Sequence, residues 1–241
     1  MIRHIFLITI IFLFIILLVY SLYEGPFTRN FCNLYKEDGV NKYANLIKKL
    51  NSRDVCLSEM DNDFDKYIYW KNELIGAIKG NILVFKGSDT TKDILYDFTT
   101  SPYALHRGRT ISNIQLIYTN IKDELKALLS LHKINIITGW SLGSVLACIT
   151  ALDNYNTTDI ERVVLFGFPN IFSDRFKERY NRALGDKTII YNHNLDIFAN
   201  IFGYGKLIGQ IDTVRWKNAP LKDIYKLFTN GLGFFHMSYF Q

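Results

Sequence analysis

An α/β fold, with a mainly parallel sheet and helices on both faces, is what this chain of 241 residues predicts. Helical and strand-like segments alternate three times between Ile111 and Tyr191, and parallel strands need crossover helices to join them. The strand-like runs are nearly all apolar, as Arg162 to Phe166 shows, which is the pattern of strands covered on both sides. Between one such run and a helix of small residues stands Gly139-Trp140-Ser141-Leu142-Gly143, a strand-turn-helix junction with a serine at its apex.

Composition narrows the function classes. A chain that is 49% hydrophobic and 21% charged is neither disordered nor collagen-like. Lys+Arg 28 against Asp+Glu 23 leaves +5, spread without basic runs, so no nucleic-acid partner is expected. The three cysteines, Cys32, Cys56 and Cys148, form no C-x-x-C pair and cannot supply a four-thiolate zinc site. Cys32 and Cys56 are either one disulfide or two unpaired thiols.

The chain opens on Ile5 to Tyr23, 19 residues without a charge, which as a helix would span roughly 28 Å, close to the hydrocarbon thickness of a bilayer. The stretch is longer than a usual signal-peptide core and ends without a small-residue cleavage site. It therefore reads as a membrane anchor over residues 1–23, preceding one domain over 24–241; secretion after signal cleavage is the alternative. Arg3 on the short leading side places the N-terminus in the cytoplasm and the domain in a lumen or outside the cell. In that orientation Asn156-Thr157-Thr158, the only N-x-S/T acceptor, meets glycosylating enzymes.

The remaining elements follow in order. Glu24-Gly25-Pro26 reads as a linker, and Val40, Tyr43, Leu46, Ile47 and Leu50 lie at helical spacing up to Asn51-Ser52. Lys66 to Lys71, Glu73 to Lys79 and Asn81 to Phe85 are short β-branched and aromatic runs separated at Lys71-Asn72 and Gly80-Asn81, the signature of two tight hairpins. Helices are expected from Ile111 to Leu131, from Leu142 to about Leu152 and from Ser173 to Leu184. The strands that follow them are Lys133 to Thr138, Arg162 to Phe166 and Lys187 to Tyr191.

Chemistry centres on the glycine-flanked serine, a G-x-S-x-G pattern expected by chance only about 0.04 times in a chain of this composition. A sharp turn lifts the serine hydroxyl above the sheet, and the helix behind it aims N–H dipoles at a developing oxyanion. A hydroxyl is a weak nucleophile until a base removes its proton, so a histidine oriented by a carboxylate is required. In the order serine, acid, histidine, the histidines that follow the serine are His193 and His236. Asp196 follows a strand, where such an acid should emerge, and His236 lies near the chain end. The expected triad is Ser141, Asp196 and His236. His193, three residues from Asp196, reads as a loop histidine.

With these residues the chain resembles the class 3 (fungal-type) lipases of the α/β-hydrolase superfamily. Ile82 to Ser88 is similar to the family's strand ending in F-R-G-[ST], with Lys86 in place of arginine. Asp93 to Phe98 resembles its D-W-x-x-D-[LF], and His106 to Gly108 its H-x-G, followed here by an atypical Arg109. Val164 to Pro169 resembles T-F-G-x-P, and Asn194 to Asp196 and Phe235-His236 complete the order. The resemblance runs from about Val40 to Tyr239. It implies acylation of Ser141 and an oxyanion hole formed by Ser88, through its N–H and hydroxyl, and the N–H of Leu142. It gives Asp97 and His106 structural roles around that loop. It also implies a lipid ester substrate, with no metal or organic cofactor.

The stretch between Ser88 and His106, where this family carries a lid, holds Ile94, Leu95, Tyr96, Phe98, Tyr103 and Leu105. It is either a lid or an ordinary surface helix. The apolar tail around Phe234, Phe235 and Phe240, with Ile201, Phe202 and Leu207, is either groove lining or core. The expected function is a membrane-anchored serine ester hydrolase acting on acylglycerols or phospholipids. The alternatives are a catalytically idle lipid- or protein-binding module and an acyltransferase with the same triad.

Overall fold

The computed structural model describes residues 42–52, 63–88, 112–193, 196, 199 and 207–214. Their elements, in chain order, are α1 (Lys42–Ser52), β1 (Lys66–Trp70), β2 (Glu73–Lys79), β3 (Ile82–Phe85) and α2 (Ser112–Leu131). Then come β4 (Ile136–Trp140), α3 (Leu142–Asn154), β5 (Arg162–Phe166), α4 (Asp174–Leu184), the 3-10 turn Gly185–Lys187, β6 (Thr188–His193) and β7 (Gln210–Val214).

The seven strands lie side by side in sequence order. β1, β2 and β3 pair antiparallel, as two hairpins require, and β3 through β7 are parallel. Both expected hairpin turns are present. Lys71 at φ 49° and Asn72 at φ 66° take the left-handed pair of a type I′ turn, and Gly80 at φ 59° closes the second. Within β1 and β2, Ile68 opposes Gly76 and Tyr69 opposes Leu74, so Ile75 is the extra residue of a bulge. The bulge puts Leu74 and Ala77 on one face and Ile75 and Ile78 on the other.

Parallel strands that advance in one direction with right-handed crossovers must place all their helices on one face, and the core divides accordingly. On that face α2, α3 and α4 cover Leu83, Phe85, Ile137, Val163, Leu165 and Ile190. On the other, Tyr43, Ala44, Ile47 and Leu50 of α1 pack with Ile82, Val84, Trp140, Val164 and Phe166. Among the described residues helices thus lie on both faces as expected, three on one and one on the other.

Each helix follows from its sequence. α2 buries Ile114, Ile117, Ile121, Leu125 and Leu128 along one stripe. α3 is buried almost all round, because α2 and α4 flank it, and Ala147 and Ala151 let them approach. α4 starts at Ser173, whose hydroxyl accepts from the Phe176 N–H at 3.3 Å. The strands depart from the sequence reading at several points: β4 starts at Ile136 instead of Lys133, and β6 runs past Tyr191 to His193. β4 runs two residues further, through Gly139 and Trp140, because these pair with Leu165 and Phe166 of β5. β7 was not expected at all. Asn181 of α4 leads the chain into it, donating to the Leu207 carbonyl at 2.8 Å and accepting from the Gly209 N–H at 2.9 Å.

The expected anchor at residues 5–23, Cys32, Cys56, the lid stretch 89–106 and the aromatic tail lie outside the described residues. Among the described residues no helix is long and apolar enough to cross a membrane.

Candidate active site

Since β3 to β6 are parallel, their carboxyl ends share one edge of the sheet, and the chain segments leaving that edge carry Ser88, Ser141 and Asp196. The turn between β4 and α3 is a single residue, Ser141, at φ 55° and ψ −121°. A non-glycine residue held there costs on the order of 1–3 kcal/mol, so its surroundings must impose it. They do so through the backbone. The Ser141 N–H donates to the Phe166 carbonyl at 3.0 Å, and the Ser141 carbonyl accepts from the Ser144 N–H at 3.0 Å and from the Ser144 hydroxyl.

Glycines make the turn close. A side-chain carbon on Gly139 would overlap the Gly143 carbonyl, one on Gly143 would overlap the carbonyls of Phe85 and Lys86, and one on Gly87 would enter the Trp140 ring. The two glycines of the G-x-S-x-G pattern thus have different partners: one admits the helix, the other admits the chain leaving β3. Inside this joint the Ser141 hydroxyl oxygen is buried and has no hydrogen-bond partner among the described residues. A buried hydroxyl without a partner costs free energy unless another group is meant to meet it. Leu142 opens α3, and its N–H, like the others of a first helical turn, has no carbonyl of its own helix to bond.

Lys86, Gly87 and Ser88 continue from β3 and are buried. The Lys86 N–H donates to the carbonyl of the bulge residue Ile75 at 2.9 Å, and the Gly87 N–H donates to Asn51 Oδ1 at 3.2 Å. At the next parallel junction, Gly167 at φ 54° donates to the Tyr191 carbonyl at 3.0 Å. Asn192 clamps Phe168 there with two bonds, accepting from its N–H at 2.8 Å and donating to its carbonyl at 3.1 Å. Phe166, whose carbonyl holds Ser141, also stacks on Tyr191 with ring centres 5.3 Å apart. The elbow is therefore tied through β5 to the end of β6.

Asp196 lies just beyond β6, fully buried, with Oδ1 accepting from the Ala199 N–H at 3.1 Å. The structure brings Ser141, Leu142 and the loop bearing Ser88 together and sets Asp196 past the same sheet edge. His236 lies outside the described residues. His193 is the last residue of β6 and so belongs to a strand end, not to a free loop. Among the described residues no cluster of His, Cys, Asp and Glu could hold a metal ion.

Sequence reasoning missed Asn51 and Asn192, the amides that fix the two loops beside the elbow. Asn51 lies one position past Leu50 on an amphipathic helix and is only 5% exposed, so it was legible only as a helix end. Asn192 sits in the carboxyl end of β6, where an amide in a strand is a signal that its side chain bonds a neighbouring turn.

The sequence profile described as Lipase (class 3) matches residues 82–205, from β3 past Asp196. No curated protein matches the chain. One similar solved structure is a mutant form of MDLA from Penicillium cyclopium, at TM-score 0.40 and 11% identity over 57% of this chain. The match spans 57% of that structure's chain as well. With the profile covering just over half of the sequence, and the glycine-locked Ser141 elbow and the Ser88 loop both inside its span, the chain belongs to the class 3 lipase family.

Proposed function

We propose that the chain is a serine ester hydrolase that cleaves acylglycerol or phospholipid esters through an acyl-enzyme, tethered to its membrane by residues 5–23. The observation that carries this reading is the Ser141 hydroxyl: buried, without a described partner, on a strained turn at the N-terminus of α3. His236 takes the Ser141 proton as the oxygen attacks the ester carbonyl. The carbonyl oxygen becomes an oxyanion between the Leu142 N–H and the N–H and hydroxyl of Ser88, each such donor worth about 3 kcal/mol in the transition state. Collapse expels the alcohol, which takes its proton from His236. Water then repeats the sequence, its proton going to His236 and its oxygen to the acyl carbon, and the fatty acid leaves. Asp196 holds the histidine in the tautomer that points Nε2 at Ser141 and stabilises the imidazolium.

The test is turnover of a chromogenic ester series from acetyl to palmitoyl by the full chain in detergent micelles, with labelling by a serine-directed phosphonate. Labelling and turnover that disappear together in Ser141→Ala support the enzyme, and the chain-length optimum separates lipase from short-chain esterase. A folded wild type that neither labels nor turns over favours the idle binding module instead.

A further inference from the structure

Gly87 is held from two sides. A side-chain carbon on it would overlap the Trp140 ring, and its N–H donates to Asn51 at the end of α1. Asn51 is 5% exposed, and its amide is oriented without ambiguity: Nδ2 donates to the Ile47 carbonyl at 2.8 Å within α1, which leaves Oδ1 for the Gly87 N–H at 3.2 Å. A swap of the two amide atoms would set Nδ2 against the Gly87 N–H, donor facing donor, and Oδ1 against the Ile47 carbonyl, acceptor facing acceptor. The peptide unit that this bond fixes, Lys86–Gly87, is the one before the Gly87–Ser88 unit that carries the Ser88 N–H. One residue earlier, the Lys86 N–H is bonded to the Ile75 carbonyl. Two successive peptide units are therefore anchored to different elements, α1 and β2, before the chain reaches Ser88.

We infer that Asn51 is a positioning residue of the oxyanion loop, through which α1, a helix outside the span of the family match, sets the direction of the Ser88 N–H. The inference rests on the reading of Ser141 and Ser88 proposed above. An oxyanion donor acts only if it already points where the charge will develop, and a misplacement of about 1 Å can cost about 100-fold in rate. Asn51 touches neither substrate nor reacting atoms. Its effect belongs to the transition state, so it should appear in kcat and leave KM unchanged.

The experiment compares the full-length wild type, Asn51→Leu and Asn51→Asp in detergent micelles, each with its competent fraction counted by phosphonate labelling. Asn51→Leu removes the acceptor for Gly87; Asn51→Asp keeps an acceptor oxygen for Gly87 and, as the protonated acid that burial favours, still donates to the Ile47 carbonyl. The substrates are one ester and its thionoester, whose larger sulfur makes the reaction sensitive to the oxyanion donors. The expected result is a kcat per competent site about 10- to 100-fold lower in Asn51→Leu with KM within about twofold, a collapse of the ester-to-thionoester rate ratio, and recovery of most of both in Asn51→Asp. An Asn51→Leu protein with wild-type kcat per labelled site overturns the inference. So does a loss that leaves the ester-to-thionoester ratio unchanged, since that reports fewer folded molecules. A wild type that neither labels nor turns over overturns the reading of Ser141 itself, whereas an active wild type beside an unaffected Asn51→Leu overturns the clamp alone.

Discussion

Gly143 lies so close to the Lys86 carbonyl that no side-chain carbon fits between them. This contact joins the first turn of α3 to the loop that carries Ser88, and both sides of it are backbone, which cannot swing aside as a side chain would. Gly143→Ala must therefore part the elbow from the loop. Overpacking of this kind costs about 1–3 kcal/mol, and the shifted donors should lower turnover by about 100-fold. Gly185→Ala is the control, because Gly185 has an ordinary φ of −60° and only the Asn181 side chain nearby. It should stay within about 0.5 kcal/mol of the parent by thermal melting, with turnover unchanged.

Ser141 trades stability for geometry. At φ 55° and ψ −121° a serine is strained and a glycine is not. Ser141→Gly and Ser141→Ala both lose the nucleophile and should both lose labelling and turnover. They should differ in stability: alanine keeps the strain, while glycine relieves it and gives back part of the gain as unfolded-chain entropy. Ser141→Gly is expected to be the more stable of the two by about 1 kcal/mol in parallel denaturant melts. Equal stabilities would mean that the strain at this turn is no larger than the unfolded-chain entropy that glycine costs.

Much of this arrangement was legible in the residues. The elbow could be read because a glycine-flanked serine between an apolar run and a small-residue helix combines local signals that agree. The hairpins at Lys71-Asn72 and Gly80-Asn81 could be read for the same reason. What escaped depends on partners far away in sequence. β4 extends through Trp140 only because β5 lies beside it, and a glycine and a tryptophan next to a turn carry no strand signal alone. β7 needs the Asn181 clamp to bring it to β6. That three of the four described helices share one face follows from strand order, which alternation along the chain does not encode. Asn51 reaches Gly87 across 36 positions, and nothing near it in the sequence announces the bond.

The hairpin between β1 and β2 offers a stability test remote from the site. Lys71 and Asn72 both occupy left-handed conformations, and the second position of such a turn favours glycine. Asn72→Gly should stabilise the domain by up to about 1 kcal/mol, seen as a higher melting temperature with unchanged ester turnover. A lower melting temperature would show that the asparagine side chain contributes more to this turn than its backbone strain costs.

Alkaline pH should act on the core through Cys148. Burial pushes its thiol pKa up, against the weaker opposing effect of a hydrogen bond from Tyr180; burial likewise raises Tyr180, with Cys148 adding to it. The folded state therefore keeps a proton that the unfolded chain releases above about pH 9.0, the ordinary thiol value. Stability is fully present below that pH and falls as pH rises toward the folded-state value, at about 1 kcal/mol per pH unit for one group. Lys48 and Lys177, whose pKa values burial lowers, act with the opposite sign but cancel when the wild type is compared with Cys148→Ala. Melts between pH 8 and pH 10.5 should show the wild type losing stability more steeply than Cys148→Ala above pH 9. Parallel curves would mean that the thiol is not held protonated by the fold.

The orientation of the proposed tether can be read from Asn156. This residue is exposed in the turn after α3, where the Thr157 and Thr158 N–H groups both donate to the Asn154 carbonyl, at 3.0 and 2.9 Å. α3 starts at the elbow and runs 13 residues, so at 1.5 Å per residue Asn156 lies about 20 Å from Ser141, at the opposite edge of the sheet. A glycan there would leave the site open. If the N-terminus is cytoplasmic and the domain lumenal, the full chain expressed in a cell with a glycosylating secretory pathway should run heavier on a gel. The shift should vanish with endoglycosidase or in Asn156→Gln, and turnover of Asn156→Gln should match the wild type. A domain that stays unmodified although the chain is membrane-bound would place it on the cytoplasmic side and reverse the orientation read from Arg3.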